Sequence, residues 1–312
     1  MSDVRYQVVG IDEEGQRLDN YLFRFLKGVP KSHVYRIIRG GEVRVNKKRA
    51  KASSRVCSGD MIRIPPVRCA EEKEIFVGDK LEKHLNDCIL FEDNSLLVIN
   101  KPAGLAVHGG SGQNLGLIEA LRKIRTDLTY VELVHRLDKE TSGCLLIAKK
   151  RSALRAIQQL LMAREVKKTY WALQHGAWEG DATKSVDVPL QKNVLKSGER
   201  IVTVNEQGKP SQTTFTLLEN YSNACWVAAY PVTGRTHQIR VHSAFIHHPI
   251  IGDDKYGEGI FDKEPYLEKA GLCLHARAIA FTLNGVAHRY EALPDKRFTN
   301  ILTQLRTREK AL

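Results

Sequence analysis

The chain has 312 residues, of which 42% are hydrophobic and 27% charged, proportions that are ordinary for a globular protein with a full-sized core. No run approaches the roughly 18 consecutive apolar residues of a membrane-spanning helix, and the amino terminus lacks the apolar core of a secretion signal. The six cysteines are scattered without a C-x-x-C pair, which argues against a zinc ribbon and fits reduced thiols. We therefore expect a cytoplasmic protein that does not bind membranes.

The net charge of +12 is concentrated near the amino terminus. Between Gln16 and Arg68, fourteen Lys and Arg side chains face only three carboxylates, so nearly all of the excess charge lies there. A positive charge this local is typical of a surface that binds a polyanion. The alternative is a solvated basic surface without a partner.

The basic segment has its own pattern of short elements. Apolar residues recur at helical spacing in two stretches, 18–26 and 34–38. Ser32 is a candidate cap for the second helix. Two strand-like stretches follow, at 42–45 and 61–64. We predict a small domain over residues 1–66 with its core at 16–66.

A larger domain is predicted after a charged, weakly periodic segment, 67–87, that we interpret as a linker. Within residues 88–312, strand-like stretches lie at 96–99, 132–134, 144–148, 169–173, 213–218 and 225–230. Helix-like stretches lie at 116–124, 153–162 and 236–246. Near the end, Asn284-Gly285 predicts a hairpin between 277–281 and 286–292. Long extended segments with few helices predict an α+β fold, with a mixed, mainly antiparallel sheet and flanking helices.

Residues 135–143, H-R-L-D-K-E-T-S-G, place charged groups between two apolar runs. Such groups are costly to desolvate unless they are paired or used in chemistry. A hydrolase triad of Ser142, His135 and Asp138 is disfavoured, because triads assemble from distant segments and no nucleophile elbow is present. A metal site is disfavoured because these residues and the later histidines, 237, 242, 247 and 248, show no familiar ligand spacing. A further alternative is an Arg–Asp ion pair that only caps the loop.

The basic module resembles the S4 RNA-binding domain. The resemblance lies in Q-R-L-D-N-Y-L from Gln16 and V-P-K-S-H-V-Y-R-I-I-R-G-G-E-V-R-V-N from Val29. It implies structured RNA as the partner rather than DNA or lipid. The side chains that it would place on RNA are Arg17, Lys31, Ser32, Arg36, Arg39, Arg44, Asn46, Lys47, Lys48 and Arg49.

The motif at 135–143 resembles the H-R-L-D-x-x-T-S-G signature of the RluA family of RNA pseudouridine synthases. Further segments match that family in order: N-K-P-A-G from Asn100, K-T-Y-W-A from Lys168, T-G-R-T-H-Q-I-R-V-H from Thr233, H-P-I from His248 and L-H-A from Leu274. The resemblance implies an isomerase that breaks the N1–C1′ bond of a uridine, turns the base over and joins C5 to C1′. Nothing is oxidised or added in that reaction, so we expect no metal and no other cofactor.

The resemblance also implies roles for individual residues. Asp138 is expected to be the catalytic carboxylate, as a nucleophile or as a base. Arg235 is expected to pair with it and keep it charged, or alternatively to contact a phosphate. Tyr170 is expected to lie against the flipped uracil, unless it is only a half-buried strand aromatic. Arg136 resembles the arginine that helps to extrude the nucleotide. Whether the carboxylate attacks C1′, attacks C6 or removes the 2′ proton stays open.

Shorter segments, such as K-G-V-P-K-S and S-G-E-R-I-V, resemble family members that act on large-subunit (23S) ribosomal RNA, and we expect that RNA as the partner of a monomeric enzyme. Two alternatives remain. One is an enzyme of the same kind that acts on transfer RNA or small-subunit ribosomal RNA. The other is an S4 RNA-binding protein with an inert second domain, which the presence of Asp138 and Tyr170 disfavours.

Overall fold

The structure is a computed structural model that describes residues 3–26, 28–67, 77–109, 115–194, 200–257 and 270–310. The chain divides into two units, Met1–Phe76 and Val77–Leu312. Within the described residues, no helix combines the length and the apolar character that crossing a bilayer requires.

The first unit packs two helices on a small antiparallel sheet. Its elements are β1 (Arg5–Val8), α1 (Leu18–Phe25), α2 (Lys31–Arg39), β2 (Arg44–Val45) and β3 (Met61–Ile64), with the strands in the order β1-β3-β2. The apolar residues at helical spacing are buried, among them Leu18, Leu22 and Ile37, and this confirms both predicted helices.

Two details of this unit differ from the predictions. Ser32 is not the helix cap, because α2 begins at Lys31 and Pro30 occupies the cap position. The fixed φ of proline suits a helix start, and Ser32 is an exposed residue of the first turn. Strand β1 was missed, because all four of its residues are exposed and show no alternation. It is recognised only through its pairing with β3.

The second unit is built on a ten-stranded sheet, which confirms the predicted α+β class. Its strands are β4 (Ile89–Glu92), β5 (Leu96–Lys101), β6 (Glu132–Leu133), β7 (Ser142–Ala148), β8 (Lys167–His175), β9 (Thr183–Asp187), β12 (Gln212–Asn220), β13 (Ala224–Pro231), β14 (Leu274–Leu283) and β15 (Val286–Glu291). The main order is β4-β5-β7-β14-β8-β13-β12-β9, with β6 paired to β7 and β15 to β14. Every pairing is antiparallel except that of β7 with β14. A separate hairpin joins β10 (Leu190–Val194) and β11 (Arg200–Val204).

Helices cover the sheet and close separate apolar cores. They are α3 (Asp79–Asp87), α4 (Leu117–Ile124), α5 (Arg151–Met162), α6 (Gln238–Phe245) and α7 (Lys296–Glu309). Helix α3 lies within the predicted linker 67–87, and its Leu85 is fully buried in the core beside α4, so this part is not a linker. The single buried leucine makes its apolar stripe too narrow to detect by periodicity. Residues 68–76 of that segment lie outside the described ranges.

The register of the sheet brings three distant segments to one place. Ala276 of β14 pairs with Gly143 of β7 on one side and with Tyr170 of β8 on the other. Ala229, near the end of β13, pairs with the same Tyr170. The start of β7, the middle of β8 and the turn after β13 therefore lie within a few strand spacings, about 5 Å each, of one another.

Candidate active site

The loop that carries Asp138 joins β6 to β7. Its turn is closed by the backbone N–H of Thr141, which donates to the carbonyl oxygen of Asp138 at 3.2 Å. Gly143 then adopts a φ of +110°, and a Cβ there would lie 2.3 Å from the carbonyl oxygen of Ala276. A side chain would push β7 away from β14, so the glycine of the motif is required by the close approach of the two strands.

A buried lysine holds the same loop from behind. The ammonium group of Lys101 is fully buried and donates to the carbonyl oxygens of Pro102 (2.8 Å), Leu105 (2.9 Å) and Lys139 (2.9 Å). The last of these carbonyls is next to Asp138 in the chain. Burial lowers the pKa of Lys101 to about 8, against the opposing charges of Glu140 and Asp138. Lys101 lies in the N-K-P-A-G segment, but its type and position in the sequence do not reveal that it is buried against this loop.

Asp138 lines a cleft with a volume of about 530 Å³. The described side chains that line it include five from Arg and Lys: Arg136, Arg164, Lys168, Arg235 and Arg240. Asp138 is the single carboxylate among those described lining residues, so the cleft suits an anionic ligand such as a nucleotide. Tyr170 also lines it, on the β8 side.

Asp138 differs from its buried neighbour Asp253 in its hydrogen bonding. The Asp253 carboxylate, 0% exposed, takes two bonds from the guanidinium of Arg240 and two from the backbone N–H groups of Lys255 and Tyr256. The Asp138 carboxylate, 29% exposed, accepts no hydrogen bond from any described residue, and its nearest basic atom is Nε2 of His237 at 3.9 Å. Asp253 is committed to structure, whereas the lone pairs of Asp138 remain available to a substrate.

The predicted ion pair between Arg235 and Asp138 is not present among the described residues. The exposed guanidinium of Arg235 instead donates through Nε to the carbonyl oxygen of Pro210 at 3.1 Å, while its backbone N–H donates to Gln238. The bond to Pro210 anchors the side chain at Nε, and Arg235 still lines the cleft. Arg240, held in its ion pair with Asp253, also interacts electrostatically with Asp138. No role for Arg240 was predicted from the sequence.

Arg136 and Tyr170 both line the same cleft as Asp138. Arg136 is exposed and donates from Nη2 to the hydroxyl of Thr236 at 3.0 Å, which links the loop of Asp138 to the turn after β13. Burial and the charge of Asp138 raise the pKa of Tyr170, so its hydroxyl stays protonated. Tyr170 thus presents a neutral aromatic ring to the cleft.

The hydrolase alternative has no geometric basis in the described residues. The buried Ser142 bonds to Nδ1 of His275 at 2.9 Å and does not line the cleft. His135 accepts a bond from the backbone N–H of Leu146 at 3.1 Å, and burial lowers its pKa to about 4. Among the described residues, no group of three or more His, Cys, Asp or Glu side chains could hold a metal ion.

The first unit exposes most of the side chains predicted to contact RNA. Of the ten, nine are exposed and Arg44 is half-buried. Four of these side chains have partners within the unit. Arg17 binds Asp19 at 2.6 Å, Nη2 of Arg36 lies 3.2 Å from Nε2 of His33, and Nζ of Lys31 lies 5.5 Å from the ring centroid of Phe23. Asn46 donates to Asp60 at 2.7 Å and accepts from the backbone N–H of Met61 at 2.8 Å. Because Asn46 has a φ of +48° in a tight turn, it shapes the turn, whereas the adjoining residues 47–49 are exposed cations.

Comparisons with known proteins match both units. Residues 95–245 match the family described as RNA pseudouridylate synthase, and residues 16–62 match the S4 domain. The first range contains Asp138, Tyr170 and Arg235. The second covers α1, α2 and β3 of the first unit except for the last two residues of β3.

Curated relatives match over nearly their full length. "Ribosomal large subunit pseudouridine synthase C" of Haemophilus influenzae is 52% identical over 98% of this chain and 96% of its own. The protein of the same name from Escherichia coli (strain K12) is 51% identical over 97% of each chain. Among solved structures, "Human RNA Pseudouridylate Synthase Domain Containing 4" matches with a TM-score of 0.61 at 28% identity, over 73% of this chain and 96% of that one.

Proposed function

The chain belongs to the RNA pseudouridylate synthase family and carries an S4 domain, and from this premise we propose that it converts uridine to pseudouridine in large-subunit (23S) ribosomal RNA. The relatives that carry "Ribosomal large subunit" in their names support this choice of RNA. The membership itself makes the second unit an RNA isomerase, which contradicts the alternative of an inert second domain.

The carboxylate of Asp138 is the observation that carries the proposed mechanism. It lies in a cleft whose described lining includes five Arg and Lys side chains and no other carboxylate, takes no hydrogen bond from a described residue, and influences Tyr170 through its charge. A carboxylate with free lone pairs can act as a nucleophile or a base toward the ribosyl uracil. We assign it that role.

The reaction balances without a cofactor. The N1–C1′ bond breaks, the uracil turns, and C5 bonds to C1′; the proton on C5 leaves to solvent and N1 gains one. No electron is transferred to or from another molecule. We propose that the enzyme works on this basis, with its own side chains as the only catalytic groups.

The target uridine must leave its stack to reach Asp138. In our proposal its ring lies against Tyr170, because a neutral aromatic face stacks on any base. Arg136, which bridges to Thr236 at the mouth of the cleft, is proposed to hold the place of the extruded nucleotide. Arg235 is proposed to contact a phosphate, because its exposed guanidinium lines the cleft and binds Pro210 rather than Asp138.

The catalytic assignment is tested with ribosomal RNA that carries tritium at uracil C5. Asp138→Asn keeps the size of the side chain but removes its charge, and we expect tritium release to fall to background. Asp127→Asn is the matched control, since Asp127 is an exposed carboxylate that pairs with Arg125 outside the cleft lining. Release that survives in Asp138→Asn would overturn the assignment.

The choice of RNA is tested separately by mapping pseudouridine at nucleotide resolution in cells with and without the gene. We expect modified positions to disappear from large-subunit ribosomal RNA. Loss confined to transfer RNA or small-subunit ribosomal RNA would refute this substrate while leaving the reaction intact.

A further inference from the structure

We propose that His237 is a positioning residue whose Nε2–H holds Oδ2 of Asp138, so that Oδ1 is directed at the uridine. This inference rests on the proposed catalytic role of Asp138. Nothing in the sequence separates His237 from the other histidines of its segment, and its role emerges only from the contacts below.

The backbone aims the imidazole at the carboxylate. His237 precedes α6 with a φ of +52°, a left-handed conformation that is uncommon for a residue with a side chain. In this conformation the ring, 13% exposed, places Nε2 at 3.9 Å from Oδ2 of Asp138. No other basic atom of the described residues lies within 4.0 Å of that carboxylate. A strained backbone that leads to one contact suggests that the contact has a function.

The opposite side of the ring determines where its proton lies. Nδ1 of His237 is 2.7 Å from the hydroxyl of Tyr256, and that hydroxyl accepts the backbone N–H of Val202 at 3.0 Å. Since the hydroxyl already accepts one N–H from Val202, the proposed arrangement has its own proton donated to Nδ1. A neutral imidazole has one N–H, so the proton lies on Nε2, toward Asp138.

The surroundings keep the imidazole neutral. Burial lowers the pKa of His237, and the cations of Arg240 on α6 and Lys255 in the following loop lower it further. The carboxylates of Asp138 and Asp253 oppose this, without reversing it. At 3.9 Å the contact is longer than a hydrogen bond, and such contacts in active sites commonly tighten when substrate binds.

Two substitutions separate the proposed role from a structural one. Asparagine tolerates the left-handed backbone and keeps a polar group near Tyr256, but it is too short to reach Asp138. Glutamine extends far enough to offer an amide N–H to Oδ2. Loss of a hydrogen bond to a charged group in the transition state lowers a rate constant by a factor of about 10 to 100. We therefore expect His237→Asn to lower kcat about 10- to 100-fold with little change in KM. His237→Gln should restore most of the lost kcat.

His247→Asn is the matched control. His247 is also a histidine with a left-handed φ, +62°, but it is exposed at the far end of α6 and does not line the cleft. We expect its kcat and KM to equal those of the wild type. Thermal unfolding of every variant identifies losses of activity that come from loss of folding.

The proton position is read independently from the ¹⁵N shifts of the His237 ring in labelled protein. We expect the Nε2–H form in the wild type and a mixture of both neutral forms in Tyr256→Phe. An Nδ1–H form in the wild type would overturn the proposal, as would full activity of His237→Asn or equal kcat losses in the folded Asn and Gln variants. If Asp138→Asn is inactive while His237→Asn is fully active, this inference alone fails. If Asp138→Asn is active, the proposed catalytic role of Asp138, on which the inference rests, fails first.

Discussion

Lys101→Met should change how the stability of the second unit depends on pH. Lys101 is fully buried, and its ammonium group binds three carbonyl oxygens. Desolvation of the charged form lowers its pKa from 10.5 to about 8. Between these values the unfolded chain still holds a proton that the folded chain has released. The free energy of unfolding therefore rises with pH across this window, and the gain is lost as the pH falls through the folded pKa.

The size of this change in unfolding free energy follows from the pKa shift of Lys101. Each pKa unit corresponds to about 1.4 kcal/mol, so the full shift is worth about 3 kcal/mol. Methionine has a similar length and does not titrate. We expect the unfolding free energy of the wild type, minus that of Lys101→Met, to increase by up to about 3 kcal/mol between about pH 7.5 and pH 10.5.

Urea unfolding followed by tryptophan fluorescence measures this difference, because all three tryptophans lie in the second unit. Lys83→Met, at an exposed position of α3, is the control, and its difference from the wild type should not vary over the same range. A difference for Lys101→Met that stays constant or falls with rising pH would refute the reasoning, since it would mean that burial does not favour the neutral amine.

Three further predictions concern the strand junction, the cleft and the first unit. Gly143→Ala should destabilise the second unit by about 2–4 kcal/mol in thermal unfolding, because the added Cβ would meet the backbone of Ala276. The control Gly180→Ala has open space around its Cβ and should lower the unfolding free energy by about 1 kcal/mol. Tyr170→Phe keeps the aromatic ring and should keep kcat/KM within about threefold of the wild type. Tyr170→Leu removes the ring and should lower kcat/KM about 10- to 100-fold, since stacking on a base contributes about 1–3 kcal/mol. Equal losses of kcat/KM in the two variants would exclude stacking. Replacing the three cations 47–49 by glutamine should reduce the magnitude of the slope of log affinity for RNA against log salt concentration by about 2–3, without changing kcat. Filter binding measures this slope, and an unchanged slope would exclude these cations from the interface.

Local pattern was sufficient for elements whose apolar residues are periodic or continuous within one segment. Helices α1 and α2 follow from apolar residues at helical spacing, and strands β5 and β7 follow from short continuous apolar runs, which are buried on both faces. The Asn284-Gly285 turn likewise has positive φ at both positions, as the dipeptide predicts. Strand β1 and helix α3 escaped detection, because one is exposed throughout and the other buries a single leucine.

For the candidate site, the sequence by itself determined which residue types are present and that Asp138, Arg136 and Tyr170 belong to matching motifs. It did not determine their neighbours. Strand β14 inserts between β7 and β8 from more than a hundred residues downstream, and only that insertion brings Gly143 and Tyr170 to either side of Ala276. The orientation of Arg235 toward Pro210, and of His237 toward Asp138, depends on contacts between segments that are distant in the sequence. Contacts of this kind follow from strand register and backbone direction in three dimensions, which no local pattern of residues encodes.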